Sequence, residues 1–327
     1  MSTYQALWVT ETPQFQQKVV ERSLAELPDN EVLIRVRYSS LNYKDALSAT
    51  GNRGVTRQFP HTPGIDAAGE VVESKVAEFT EGEEVIVTGY DLGMNTYGGL
   101  AQYIRVPASW VVKRPAALSL REAMILGTAG LTAALSVDKL QSAGVKPEDG
   151  PVLVTGATGG VGSIAVMLLA KLGYQVTAAT GKEGQEGFFQ SLGAQEVIPR
   201  AALLEGLDRP LLREKWGGIV DTVGGDILFN AVKALKHSGS AACCGLTAGA
   251  NFNGSVLPFI LRGVNLLGVD SVEIPLLKKA AMWDKLAQDW RLDLESLVNE
   301  ITLQEVPEAI IAMLAAQQVG RTLVRID

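Results

Sequence analysis

The sequence predicts an α/β protein in which a β-rich first part is followed by a doubly wound parallel sheet. Three observations indicate this class. Short alternating stretches follow one another up to about residue 120, and strand-like and helix-like stretches alternate after it. A glycine-rich turn joins the first strand of the second part to its helix. The length of 327 residues is enough for about two domains.

The first part has the alternation of half-buried strands. Four stretches show it: 31–39 (EVLIRVRYS), 67–74 (AAGEVVES), 84–89 (EVIVTG) and 99–107 (GLAQYIRVP). Turns rich in Gly, Asp and Asn lie between them, and short strands at this spacing are typical of a barrel or a sandwich. Residues 321–326 (RTLVRI) are strand-like again, and we expect this tail to fold back onto the first domain.

The second part has the order of βαβ units. An Ala/Leu-rich helix is predicted over 120–137, and later helices over 160–172 and around 187–192. Apolar strands are predicted between and after them, at 151–155, 175–179, 196–198, 218–222, 239–243 and 265–270. Strands separated by helices in this way build a parallel sheet with helices on both faces.

Composition argues against several functional classes. The formal net charge is 29 − 36 = −7, which disfavours a general nucleic-acid binder. The two cysteines, Cys243 and Cys244, are adjacent and cannot join distant segments, and with two histidines they leave too few ligands for a Cys/His zinc site. No apolar run of ~18 residues and no signal-peptide pattern occurs, so we expect a cytoplasmic protein without membrane or nucleic-acid partners.

The clearest functional pattern is the turn at residues 154–162 (VTGATGGVG), which follows a predicted strand and opens a helix. In the usual Gly-x-Gly-x-x-Gly register Ala157 takes the first glycine position, and Gly159 and Gly162 fill the others. Such a turn lets backbone N–H groups and a helix N-terminus approach a pyrophosphate. We predict a dinucleotide site here, contributed by Thr158, Gly159, Gly160 and Val161; the alternative is a tight strand-to-helix turn without a ligand.

The end of the second strand indicates which dinucleotide binds. NAD sites usually place an acid about 20 residues after the glycine turn, whereas this strand ends in Thr180, Gly181 and Lys182, and Glu183 comes slightly late. A hydroxyl and a cation suit a 2′-phosphate, and Arg200 could add a second cation. We therefore predict NADP(H); the alternative is that both cations are solvated surface charges.

Several motifs carry a family resemblance over essentially the whole chain. They are 39–45 (SSLNYKD), 63–69 (PGIDAAG), the glycine turn and 192–194 (LGA). With them the sequence resembles the medium-chain dehydrogenase/reductase superfamily. Three further stretches, 259–262 (FILR), 268–271 (GVDS) and 320–324 (GRTLV), are similar to its NADPH-dependent acrylyl-CoA reductase branch, also labelled quinone oxidoreductase.

The resemblance implies a GroES-like barrel over residues 1–121, completed by 298–327, and a Rossmann NADP-binding domain over 122–297. It also implies a homodimer, with the strand near 264–269 as the candidate pairing segment. Zinc-dependent members carry a ligand His where Ile65 stands, a ligand Cys near Asn42, and a four-cysteine lobe where 90–99 lies. Isoleucine cannot bind zinc, so we expect no metal, with Asp45 and Asp66 left as hydrogen-bonding or ion-pairing scaffold residues.

Without zinc, alcohol oxidation lacks its usual Lewis acid. Hydride transfer to an electron-poor C=C bond needs less from the protein, which must position the acceptor, stabilise charge on the conjugated oxygen and admit a proton. We therefore expect an NADPH-dependent reductase of an enoyl thioester, with acrylyl-CoA converted to propionyl-CoA. The alternatives are an NADPH:quinone oxidoreductase and an NADPH-binding protein without turnover.

Tyr43 is the first candidate for a polar group in the reaction, because related enoyl reductases imply such a residue near this position. Its phenol could donate a hydrogen bond or a proton, or orient the nicotinamide ribose; the alternative is a packing tyrosine. Asn42 could bind substrate or cofactor, or cap the following helix. By resemblance alone, Leu246, Ile260 and Ser271 lie near the nicotinamide.

A basic rim is expected for a CoA thioester, because CoA carries several phosphates. Arg53 and Arg57 are the candidates, with surface solvation as the alternative for each. His61 and His237 match no catalytic pattern, and we expect a surface or loop position for both. The two cysteines lie on a predicted buried strand, where small core residues are the ordinary case.

Overall fold

A computed structural model describes residues 2–326. It divides into two units by contacts: unit 1 comprises the residues up to Thr128 and those from Ser271 onward, and unit 2 comprises Ala129–Asp270. The strands, in chain order, are β1 (Thr3–Thr10), β2 (Gln16–Ser23), β3 (Val32–Leu41), β4 (Asp66–Ser74), β5 (Glu84–Thr88), β6 (Tyr103–Val106), β7 (Val111–Lys113), β8 (Val152–Val154), β9 (Val176–Thr180), β10 (Glu196–Pro199), β11 (Trp216–Asp221), β12 (Leu235–Cys243), β13 (Asn265–Gly268), β14 (Val298–Thr302) and β15 (Arg321–Arg325). The α-helices are α1 (Tyr43–Ala49), α2 (Leu120–Ser142), α3 (Gly160–Lys171), α4 (Glu186–Ser191), α5 (Gly225–Val232), α6 (Leu257–Arg262), α7 (Leu276–Ala287) and α8 (Val306–Leu314).

Unit 1 is built on a seven-stranded sheet in the order β14-β15-β3-β4-β5-β7, with β6 also paired to β3. The alternation of β3 places Val32, Ile34 and Val36 in the core. β15 lies antiparallel to β3, so the tail does fold back onto the first domain as predicted. β1 and β2 form a separate antiparallel pair.

Unit 2 is a six-stranded parallel sheet in the order β10-β9-β8-β11-β12-β13. This is the doubly wound arrangement predicted from the alternation of strands and helices. β8 and β11 are buried along their whole length and lie side by side at the point where the strand order reverses. In such sheets ligands bind outside the carboxyl ends of the strands at this reversal.

α2 is interrupted at Gly127, whose φ of +51° and ψ of −155° are not helical. The sequence pattern predicted one unbroken helix here. A Cβ at this position would lie 2.6 Å from Asp66 Oδ2 and 2.6 Å from Ser40 Oγ, so both the backbone conformation and the space require glycine. α2 is apolar and long enough to cross a membrane, but most of it is buried within the protein, as in a core helix.

The boundaries between the two units lie after Thr128 and before Ser271, whereas the expected boundaries are after residue 121 and before residue 298. The second difference has a physical cause in α7. Its Lys279 is fully buried in unit 1, where Nζ donates to Thr88 O at 2.5 Å and to Val272 O at 2.9 Å. The same ammonium lies 3.4 Å from the centre of the Tyr90 ring, a cation–π distance.

Candidate active site

The glycine-rich turn of unit 2 lies between β8 and α3, in the strand–turn–helix context that the pattern predicted. Gly159 is the residue before the first turn of α3 and is exposed. Gly160 and Val161, which follow it, are partly exposed. The first N–H groups of a helix have no partner within it and favour an anion. A Cβ at Gly162 would lie 2.4 Å from Gly156 O, so glycine lets the helix pack directly on the turn.

A buried acid that the sequence analysis did not single out holds this turn. Asp221 ends β11 and is fully buried. Its Oδ1 accepts from Thr155 Oγ1 at 2.7 Å and its Oδ2 accepts from Gly224 N at 2.8 Å. Burial raises the pKa of Asp221 above its ordinary value, and these hydrogen bonds oppose the rise. The sequence does contain a signal for Asp221, because an acid near the carboxyl end of the strand predicted at 218–222 lies where such sheets bind ligands.

The end of β9 lies directly beside the glycine turn, because Ala157 N donates to Ala179 O at 3.1 Å. Here the structure brings together the residues predicted to hold a 2′-phosphate. Lys182 N donates to Thr180 Oγ1 at 3.0 Å. The guanidinium of Arg200 packs over Gly181, where a Cβ would lie 3.0 Å from Cζ.

This corner, defined as Thr180, Gly181, Lys182 and Arg200, is cationic. Partial burial lowers the pKa of Lys182. Within residues 2–326, the Arg200 side chain forms no hydrogen bond or ion pair. A guanidinium held against a glycine, with its donors unused, is suited to a phosphate group.

In unit 1, β3 leads into α1 through Asn42 and Tyr43. The Tyr43 side chain is 44% exposed, while Asn42 is half-buried. Asn42 Nδ2 donates to Asp66 Oδ2 at 2.8 Å, and Asn42 N donates to Asp45 Oδ2 at 2.8 Å. The two predicted catalytic residues are therefore adjacent in the chain but differ in setting: one is accessible and the other is tied to buried acids.

Asp66 is fully buried and accepts from several groups besides Asn42. Ser40 Oγ donates to Oδ2 at 2.6 Å, and Thr128 donates through N to Oδ2 at 2.9 Å and through Oγ1 to Oδ1 at 2.5 Å. The break at Gly127 makes the Thr128 N–H available for this bond. Asp66, at the start of β4, thereby satisfies the backbone N–H that the break in α2 leaves free.

Asp45 and Arg321 complete this buried cluster. Asp45 Oδ1 accepts from Ile65 N at 2.8 Å. Burial, and secondarily the nearby Asp66 charge, raises the pKa of Asp45 to about 7. Arg321 donates through Nε to Ile125 O at 2.7 Å and through Nη1 to Asn42 Oδ1 at 3.3 Å, while its buried Nη2 has no hydrogen-bond partner. Burial lowers the pKa of Arg321, and the two acids oppose that shift.

The remaining predicted contacts have varied settings. Ser271 is buried in unit 1, and Leu246 and Ile260 are exposed in unit 2. Arg53 is already engaged, because it pairs with Glu11 and donates through Nη1 to Arg57 O at 2.7 Å. The Arg57 guanidinium is exposed and forms no hydrogen bond or ion pair with another residue of the described range 2–326.

A surface or loop position was expected for both histidines: His61 lies in a loop between α1 and β4 but is buried, whereas His237 is exposed. His61 is 1% exposed, lies within an aromatic group that includes Phe59 and Tyr97, and has its pKa lowered by burial. Histidine's aromatic ring packs like an apolar side chain here, which its ordinary exposure did not predict. Cys244 donates from Sγ to Asp221 O at 3.2 Å, and burial raises the pKa of its thiol to about 12, so it remains a neutral packing residue.

A barrel unit and a parallel-sheet unit with a glycine turn define a dinucleotide-dependent dehydrogenase or reductase. Residues 28–116 match the alcohol dehydrogenase GroES-like domain, and residues 160–288 match the family described as zinc-binding dehydrogenase. YhfP of Bacillus subtilis, which carries the name of a quinone oxidoreductase, is 46% identical over 93% of each chain. The chain belongs to the medium-chain dehydrogenase/reductase superfamily, so the predicted superfamily and fold class are confirmed.

Two further relatives carry the name acrylyl-CoA reductase AcuI. The Escherichia coli protein is 46% identical over 93% of each chain, and the Ruegeria pomeroyi protein is 42% identical over 97% of this chain and 96% of its own. Among solved structures, the yhdH oxidoreductase of Salmonella enterica in complex with NADP has a TM-score of 0.96 at 45% identity, covering 99% of this chain and 100% of its own. B. subtilis yhfP with NAD bound has a TM-score of 0.97 at 44% identity and the same coverage.

The zinc in the family description does not fit the residues present. Ile65 has no ligand atom, and its N–H donates to Asp45. Asp45 and Asp66 already accept hydrogen bonds from Asn42, Ser40 and Thr128. Across residues 2–326, no group of three or more His, Cys, Asp or Glu side chains is arranged to hold a metal ion.

Proposed function

We propose that this protein is an NADPH-dependent, zinc-independent reductase of enoyl thioesters that converts acrylyl-CoA to propionyl-CoA. The observation that carries the proposal is the nearly full-length likeness to two proteins named acrylyl-CoA reductase. The donor set around Ile65 supports a reaction in which the protein supplies hydrogen bonds rather than a Lewis acid.

The residues present fit NADP(H). The start of α3 at Gly159, Gly160 and Val161 is at least partly exposed and suits the pyrophosphate, and the buried Thr158 belongs to the turn just before it. The cationic corner suits the 2′-phosphate, since Arg200 has unused donors there. NADH lacks that phosphate and would leave these donors without a ligand. Because yhfP was solved with NAD, the cofactor experiment has to compare both nucleotides.

When bound, NADPH supplies the hydride that goes to the β-carbon of the conjugated thioester. The chain then has to stabilise negative charge on the thioester oxygen and let a proton reach the α-carbon. We propose the exposed phenol of Tyr43 as the donor of that hydrogen bond or proton. Leu246, Ile260 and Ser271 are proposed to border the nicotinamide.

Of the two arginines predicted to bind the CoA phosphates, Arg57 is the better candidate. Its guanidinium is exposed and not engaged by another described residue, while the Arg53 guanidinium is neutralised by Glu11. Arg57→Ala is expected to raise the KM for acrylyl-CoA but to leave the KM for a quinone unchanged. An equal effect on both acceptors would remove Arg57 from CoA binding.

An NADPH:quinone oxidoreductase is the second candidate, favoured by the name that YhfP carries. The deciding assay follows NADPH absorbance with acrylyl-CoA, crotonyl-CoA and a panel of quinones. A much higher kcat/KM for acrylyl-CoA supports the proposal, and useful turnover with quinones alone refutes it. Tight NADPH binding without turnover of any acceptor would instead support a binding protein.

We also propose a cytoplasmic homodimer that pairs through the edge of unit 2. β13 is the terminal strand of its sheet, and α6 just before it exposes Leu261 at 59%. An open strand edge beside apolar side chains favours association with a second copy. Sedimentation should give twice the chain mass, and Leu261→Glu should lower it; a concentration-independent monomer contradicts this proposal.

A further inference from the structure

The buried acid network of unit 1, defined as Asp45, Asp66 and Arg321, surrounds Asn42, the residue just before Tyr43. We propose that this network is a positioning device: it anchors Asn42 by hydrogen bonds and thereby holds Tyr43 in the orientation that the reduction requires. The inference rests on the proposed function, in which Tyr43 is the polar group of the reaction.

Asn42 is committed to the network through nearly all its polar groups. A side-chain amide has two donor hydrogens and one acceptor oxygen. Nδ2 donates to Asp66 Oδ2 at 2.8 Å and to Asp45 Oδ2 at 3.3 Å, and Oδ1 accepts from Arg321 Nη1 at 3.3 Å. The backbone N–H donates to Asp45 as well. The Asn42 side chain therefore acts as an anchor, and no donor hydrogen remains for a ligand.

The network also joins chain segments that are distant in sequence. Asp45 lies in α1 and accepts from Ile65 N, just before β4. Asp66 lies at the start of β4 and accepts from Thr128 at the break in α2. The corner at Asn42 is therefore fixed relative to two other segments of the same unit.

Tyr43 itself has no such attachment. Its phenol forms no hydrogen bond with any other residue of the described chain, and the side chain is 44% exposed. No hydrogen bond to another described residue holds the phenol, so the starting direction of the side chain is that of the Tyr43 Cα–Cβ bond, which the backbone at the Asn42–Tyr43 corner sets. Buried ionic groups cost desolvation that apolar side chains of equal volume would avoid, whereas directed hydrogen bonds select one orientation. That selection is the role we assign to the network.

The experiment replaces Asp45 by Asn in the full-length protein. One acceptor oxygen becomes an NH2 group, which must face the N–H of Asn42 or of Ile65. Since small misplacements of a reacting group cost up to about 100-fold, we expect kcat with acrylyl-CoA to fall about 10- to 100-fold. The KM for acrylyl-CoA and the Kd for NADPH should stay within about threefold.

Ser48→Ala is the matched control. Ser48 lies on the same helix, is fully buried, and shares a 2.6 Å hydrogen bond with Thr56 rather than with the network. The Ser48→Ala variant should have a lower free energy of unfolding and should keep kcat within about twofold of the wild type. An equal loss of kcat in both variants would reduce the network to general support of the helix and overturn the proposal.

Two readouts separate positioning from stability. In a Tyr43→Phe background, Asp45→Asn should lower kcat by no more than about twofold further, because both changes act through one phenol. In the cofactor-free protein labelled with fluorotyrosine, the Tyr43 resonance, identified by its loss in Tyr43→Phe, should shift in Asp45→Asn and not in Ser48→Ala. If Asp45→Asn does not fold, Ser40→Ala takes its place, since it removes the 2.6 Å hydrogen bond to Asp66.

Multiplicative kcat losses, an unchanged fluorine resonance or an unaltered kcat in Asp45→Asn would each overturn the proposal. A wild-type protein without turnover, whose Tyr43 resonance still responds to Asp45→Asn, would refute the proposed function and support the positioning role. The two failures are therefore distinguishable.

Discussion

The cationic corner of unit 2 leads to a sharp prediction about nucleotide choice. Arg200→Ala removes a guanidinium of the corner whose donors are unused in the described chain, without taking away a hydrogen bond that the fold needs. It should therefore weaken NADPH binding specifically. NADH has no 2′-phosphate, and its affinity should not respond.

The magnitude follows from the exposure of the site. A hydrogen bond to a charged group contributes about 1.5–3 kcal/mol. Because Arg200 is solvent-exposed, the lower end applies, since exposed ion pairs are weakened by water and salt. A loss of about 1.5 kcal/mol corresponds to an approximately tenfold higher Kd for NADPH. Arg200→Lys keeps the charge but loses the planar guanidinium, so its Kd for NADPH should lie between those of the wild type and Arg200→Ala.

The assay is a fluorescence titration of wild type and variants with NADPH and with NADH at low and high salt. Arg213→Ala is the control, because Arg213 is an exposed arginine of the same unit that forms no hydrogen bond or ion pair within the described chain. The NADPH affinity of the wild type should fall with salt more steeply than that of Arg200→Ala. Equal weakening of both nucleotides, or an NADPH Kd within about twofold of the wild type, would refute the reasoning.

Three further outcomes are expected. Gly181→Ala places a Cβ 3.0 Å from Cζ of Arg200 and should raise the NADPH Kd about threefold with an unchanged Tm; an unchanged Kd in the same titration would mean that the guanidinium moves at no cost. Asp221→Asn puts an NH2 group against Thr155 or a backbone N–H and should lower the free energy of unfolding by about 1–3 kcal/mol in urea; a smaller loss would show that the turn holds without this acid. Because the pKa of Asp45 is raised from 3.8 to about 7, the native state binds a proton more tightly than the unfolded chain between these values. Stability should therefore fall as pH rises from about 4 to about 7, by more than in Asp45→Asn. Identical slopes of the urea midpoint against pH in the two proteins would contradict the raised pKa.

The alternation of strands and helices was enough to predict the parallel sheet of unit 2, because its strands β8, β9 and β11 are short and buried along their whole length. β2 was missed, because its sequence QQKVVERS is mostly polar and partly exposed, and only its pairing with β1 makes it a strand. α7 was assigned to the other domain. Its buried Lys279 is held by carbonyl oxygens and a tyrosine ring that are distant in sequence.

The candidate site likewise has a part that the sequence predicts and a part that it does not. The cationic corner could be predicted from a local pattern, since Thr180, Gly181 and Lys182 are consecutive and only Arg200 had to be added. In the acid network, Asp45 and Asp66 were expected as hydrogen-bonding or ion-pairing scaffold residues, and the structure confirms this role. Their neighbour Arg321 was not expected, because it meets them only after β15 has paired with β3. No spacing rule relates residues so far apart. Their buried charges are visible only in three dimensions.

The position of β15 has a consequence for how the chain is made. Unit 2 is one continuous segment, Ala129–Asp270, and all of it leaves the ribosome before β14 and β15 do. Until then the stretch of β3 at Ser39–Leu41 lacks its partner strand β15. The barrel therefore keeps an open strand edge during the time in which unit 2 can already fold. Nascent chains stalled before residue 321 should therefore recruit chaperones at the barrel rather than at the parallel sheet.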